Sequence, residues 1–109
     1  MSKEAPHFQE WPLHDAVLKT ISIDWVERTC CMRVLAFLEK HQPAVACSLV
    51  WTGVTHVDVP IRELWGPSQF INSQQVDSAA RYAIEMQSGD TIRVEASCAA
   101  FERDVAEVG

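Results

Sequence analysis

From Val17 onward the chain alternates between apolar and polar positions. Val17, Ile21, Ile23 and Trp25 fall on one side, and Thr20, Ser22 and Asp24 on the other. A period of two predicts a strand with one buried face. Lys19 interrupts the apolar side near the strand start, where its stem can cover apolar surface while the ammonium stays in water. After a connection at 26–28, residues 28–39 alternate again, with Cys30, Met32, Val34, Ala36 and Leu38 on one face. The other face carries Cys31, Leu35 and Phe37 beside Arg33. A strand that is apolar on both faces is expected in the middle of its sheet.

Residues 39–43 predict a turn and 44–59 a long β-rich segment. Val45, Cys47, Leu49 and Trp51 lie on one of its faces, and Ala46, Ser48, Val50 and Thr52 on the other. Gly53 interrupts it, as glycine does at a bulge or bend; one bent strand and two joined strands both fit. Pro60 ends the run. Residues 61–64 fit one helical turn or an edge strand, 65–68 a turn and 70–72 a brief strand, and 73–78 are polar. The clearest unit is a hairpin, with 79–87 and 91–98 alternating on either side of Ser88-Gly89-Asp90. Gly-Asp suits the positive φ of a short hairpin loop. Residues 1–12 predict a loosely attached lead-in, from which Phe8 and Trp11 can dock on the body. Residues 102–109 are charged and predict a frayed tail. With no long amphipathic helix, the expectation is an all-β fold. It is an antiparallel meander of about six to seven strands with little helix, forming a sandwich or open barrel.

Composition adds limits on function. The 109 residues suit a single domain. Nine Lys and Arg against fifteen Asp and Glu give a formal charge of −6. No two basic residues are adjacent, so the basic stripe needed for nucleic acid or an anionic membrane is missing. A basic protein partner is favoured instead, because complementary charge speeds encounter. The opening MSKEAPHFQEWP has no apolar core of a signal peptide, and no run approaches the ~18–20 apolar residues of a membrane span. A cytoplasmic location is therefore expected. Cys30, Cys31, Cys47 and Cys98 all lie in apolar strand-like runs, which suits small buried hydrophobes better than a disulfide framework. Adjacent Cys30 and Cys31 point to opposite faces, and no zinc-ligand spacing occurs. With four glycines in all, the chain builds no phosphate-binding loop. No metal, cofactor or catalytic residue is expected.

The remaining candidates are few. In His14-Asp15 the carboxylate can orient the imidazole for acid–base work, but neighbours in a strand point apart. The better reading has Asp15 turning the chain into the first strand. His56 and Asp58 share a strand face two residues apart, which suits a local hydrogen bond or a weak cation site. Trp51 reads as core, and Trp25 as core or rim. Trp65 sits in the string ELWGPS at 63–68, where Gly66 and Pro67 shape a tight turn. It either closes a corner of the fold or stands exposed as a binding anchor, a role in which tryptophan is favoured.

Three strings occur together: HDAVLKTISIDW near the start, ELWGPSQFIN in the middle and YAIEMQSGDTIRVEA near the end. In this combination the chain resembles a group of small bacterial all-β proteins of uncharacterised function. They share HDA-x-L, WGPS-x-x-IN and EMQSGD. The resemblance spans roughly 14–96 and implies a stand-alone cytoplasmic β-domain without an assigned reaction. In size, charge and architecture the chain is also loosely similar to the immunity proteins that neutralise bacterial toxins, an analogy of architecture alone.

These observations lead to the expectation of a non-enzymatic protein-binding domain, an immunity-type inhibitor being one form of it. Trp65 is its expected anchor, with Ser68 and Asn72 as polar flanks. The alternative is a small-ligand binder or small enzyme with a cavity between the sheets, lined by Trp51 and Tyr82 and with His56 and Asp58 at its mouth. A homodimer joined through strand edges is compatible with both.

Overall fold

The computed structural model describes residues 8–39, 41–77 and 79–104. Eight strands form two antiparallel four-stranded sheets. They are β1 (Val17–Asp24), β2 (Thr29–Ala36), β3 (Val45–Thr52), β4 (His56–Asp58), β5 (Ile71–Val76), β6 (Arg81–Met86), β7 (Thr91–Glu95) and β8 (Cys98–Arg103). One sheet has the order β1-β2-β3-β8 and the other β4-β7-β6-β5. Two runs, β1-β2-β3 and β5-β6-β7, are local meanders; β4 and β8 join them non-locally. A 3-10 turn at Phe8–Glu10 precedes the strands, and no α-helix occurs among the described residues.

The alternation read from the sequence sets the core. Cys30, Met32, Val34 and Ala36 of β2 and Cys47, Leu49 and Trp51 of β3 are all buried. From the other sheet, Ile84, Met86, Ile92 and Val94 meet them. Each large apolar side chain buried this way contributes about 1.5–3 kcal/mol. β2 is central, as its two apolar faces require, lying between β1 and β3. In β1 the register shifts between Leu18 and Thr20. The bulge at Lys19 changes the parity, so Leu18 and Ile21 both pack against the core.

At one corner two strands pass together from sheet to sheet. β3 bends at Gly53 into β4, and β7 bends at Ala96-Ser97 into β8. Ser97 N–H donates to the carbonyls of Thr52 and Gly53 (3.0 and 3.3 Å), and Thr55 N–H to that of Glu95 (2.8 Å). Gly53 has φ +64°, and a Cβ there would lie 2.8 Å from the Ser97 Cβ. Glycine is thus required both by the backbone conformation and by the close approach. The segment 91–98, expected as one strand, is two for this reason.

The ends differ from expectation. Phe8 and Trp11 are buried. Phe8 packs edge-to-face on Trp11 and Tyr82, and Trp11 lies 5.4 Å from Phe101. Gln74 of β5 donates to the backbone carbonyls of Phe8 (3.2 Å) and Trp11 (2.7 Å). The lead-in is therefore anchored from Phe8 onward; residues 1–7 lie outside the described residues. The expected frayed tail is strand through Arg103, because β8 pairs with β3. Just beyond, Asp104 accepts from Arg33 (2.7 Å) and Ser48 (2.8 Å). The rest of that tail lies outside the described residues.

Candidate functional site

The three strings that carry the resemblance meet at one corner of the molecule. Asp15 takes φ +67° and turns the chain into β1. Its N–H donates to the Ile71 carbonyl, the Ile71 N–H to Ala16 and the Leu18 N–H to Gln69, each at 2.8 Å. These bonds tie the start of β1 to the start of β5 and join the two sheets. The His14 Nδ1–H donates to the Asn72 carbonyl (2.8 Å). Gln87, from the β6–β7 hairpin, donates its side-chain amide to Asp15 (2.7 Å) and its backbone N–H to Phe70 (2.9 Å). The His14-Asp15 pair is thus used for structure, and its side chains stay exposed.

The same hairpin holds the ELWGPS loop. The Asp90 side chain is buried. Its two carboxylate oxygens accept the backbone N–H groups of Arg62 (2.9 Å) and Glu63 (2.8 Å), and the Ser88 hydroxyl donates to it as well (2.8 Å). The Trp65 N–H donates to the Ser88 carbonyl (2.8 Å). Burial works against the charge on Asp90. The two backbone donors, the Ser88 hydroxyl and the nearby Arg62 guanidinium outweigh it and hold the carboxyl below the ordinary aspartate value of 3.8. Gly89, at φ +93°, leaves room for the Trp65 ring; a Cβ there would come within 3.0 Å of it.

This loop is thus both corner and display. Its backbone is pinned, yet Trp65 is 73% exposed, with Leu64 at 61% and Ile61 at 78%. Leaving three large apolar groups in water on a rigid loop costs stability, and such patches mark interaction sites. The expected polar flanks, Ser68 and Asn72, are half-buried and hydrogen-bonded within the fold. Ser68 Oγ accepts from the Phe70 N–H (3.2 Å), and the Asn72 side chain donates to Glu85 (2.8 Å). Asp90 was missed in the sequence because Ser-Gly-Asp reads as turn chemistry. A buried aspartate that binds another loop leaves no local signature.

The residues named for the alternative, a ligand cavity, lie in different settings. Trp51 is fully buried, with its ring 6.0 Å from Tyr82 and 6.2 Å from Phe8. Phe8 packs against both rings. His56 and Asp58 are exposed on β4, opposite Glu95 and Arg93 of β7. Trp51 lies inside and this pair outside. Trp25, read as core or rim, is not core; it stands in the β1–β2 turn, 75% exposed, with the Arg28 guanidinium 5.7 Å from its ring centre. Cys98 is exposed, unlike Cys30 and Cys47. Burial, and then the neighbouring Cys31, push the Cys30 thiol up to about 11. Among the described residues no group of three His, Cys, Asp or Glu is placed to hold a metal ion. Among the same residues no helix is long and apolar enough to cross a membrane.

Comparison with known protein families, curated proteins and solved structures returned no match.

Proposed function

We propose that this chain is a non-enzymatic protein-binding domain that presents Trp65 as its anchor. One observation carries the reading: a tryptophan 73% exposed on a loop whose backbone is held from Arg62 to Trp65 by Asp90 and Ser88. A rigid, exposed aromatic loses little conformational freedom on binding, so its burial converts efficiently into affinity. The charge of −6 favours a basic partner surface. An immunity-type inhibitor of a basic toxin is the particular form this combination suits. The filled core around Trp51 speaks against the small-ligand alternative.

Paired affinity capture from a bacterial lysate tests the reading, with wild type and Trp65→Ala as baits. A single protein retained by the wild type and lost by the variant is expected. Equal recovery by both baits would remove Trp65 as the anchor. No recovery by either would remove the binding reading itself.

A further inference from the structure

The two sheets leave two seams. One, beside β5 and β8, is filled by the chain itself. Phe8 and Trp11 pack against Tyr82 and Phe101, and Gln74 binds their carbonyls. The other seam lies between β1 and β4 and has no such filler among the described residues. From Thr20 to Asp24, β1 pairs only with β2, and β4 pairs only with β7. Leu18 and Ile21 face Val59, Pro60 and Ile61 across a cavity of about 160 Å³. Further along, Ile23 and Asp24 face Val54 to Val57 across one of about 270 Å³. Ile23 is 48% exposed there. The two exposed tryptophans bracket the seam. Trp25 lines the larger cavity, and Trp65 rises from the loop whose Glu63 and Ser68 line the smaller one.

We propose that this seam is a strand-addition site for an extended segment of a partner protein, apolar at alternate residues with Lys or Arg between them. The proposal rests on the protein-binding reading and specifies its mode. Free strand edges present unpaired N–H and C=O groups, which only another extended backbone satisfies in series. From Thr20 to Asp24 the edge is about 13 Å long, room for four or five residues. Apolar cavities under one face of the added strand select alternate side chains, while its other face meets water. Charge selects the rest. Asp24 and Glu63 line the two cavities and Asp58 is exposed on β4, while the one basic lining residue, Arg28, lies over Trp25. A second copy of the chain would bring its own −6 to the seam, so a basic segment of another protein is favoured over self-pairing.

The test is selection of short displayed peptides on the full chain at low ionic strength, followed by amide hydrogen exchange on the complex. Selected peptides are expected to alternate apolar residues with Lys or Arg and to protect amides at 20–24 and 56–58. Ile23→Lys, shown folded by its amide spectrum, is expected to lower their affinity at least about tenfold. Asp58→Lys, an exposed charge change, gives a second reading should Ile23→Lys fail to fold. Several results would overturn the proposal. Protection in the free protein of the amides there that do not bond to β2 or β7 would mean that the chain fills its own seam. Concentration-dependent dimers that protect them would make the occupant a second copy. Peptides protecting only 64–68, or none selected while Trp65-dependent capture succeeds, would reject the seam but keep the protein-binding reading.

Discussion

Asp90 shows how much one side chain can organise. Its carboxylate replaces the water that two loop N–H groups would otherwise bind, and so places Trp65. Because its folded-state value lies below 3.8, this contribution is intact at neutral pH. It declines as the pH falls below about 3.8 and is lost beneath the folded-state value. Acid titration followed by the Trp65 indole NMR signal should show the loop releasing in that range, and Asp90→Ala should show it released at pH 7. Gly53 is the second such position. Gly53→Ala must adopt a positive φ and meet Ser97, so a loss of about 2 kcal/mol or more is expected in urea unfolding. Thiol labelling gives a third check. Cys98 should react promptly in the native protein, while buried Cys30 and Cys47 should react only on unfolding.

At the scale of elements, the 3-10 turn and β5 explain each other. Gln74 lies in a run, Asn72 to Gln75, too polar to announce a strand. It is an edge strand whose side chains have work inside the fold. Gln74 holds the carbonyls of the turn, and Asn72 and Ser73 both donate to Glu85 (2.8 and 3.1 Å). Alternation of hydrophobicity cannot reveal a strand whose inward positions bind backbone instead of packing. The turn in turn seals one seam. Trp11→Ala should cost about 3–5 kcal/mol in chemical denaturation, the usual range for removing a buried aromatic. It should also loosen Phe8, which lies between Trp11 and Tyr82, and so expose Tyr82, read as a blue shift of tyrosine absorbance.

Over the whole molecule, several exposed apolar groups lie on the side where β1 and β4 stand apart, Ile23 and Trp25 at the larger cavity and Val59 and Ile61 at the smaller one, with Trp65 on the adjoining loop. The opposite seam is closed by the chain's own aromatics. Since the Trp65 ring is largely in water, Trp65→Ala should change the stability by less than about 0.5 kcal/mol while abolishing partner capture. Such a separation distinguishes a binding residue from a structural one. With −6 on this chain, association with a basic partner should also slow steeply between about 50 and 500 mM salt, measured by stopped flow.

The all-β class, the central place of β2, the buried faces of β2 and β3 and the β6–β7 hairpin were legible in the residues. Each follows from local alternation or local turn chemistry, which every five-residue window carries. Tertiary structure alone decided the rest. The sheet change at Gly53 and Ser97, the docking of Phe8 and Trp11, the pairing of β8 with β3 and the grip of Asp90 on the ELWGPS loop all join residues far apart in sequence. Their energies depend on where the other sheet lies. The exposure of Trp65 was undecided for the same reason: an aromatic in a turn is buried or displayed according to what packs beneath it. Here Gly89 leaves room for one edge of the ring, and nothing among the described residues covers the rest.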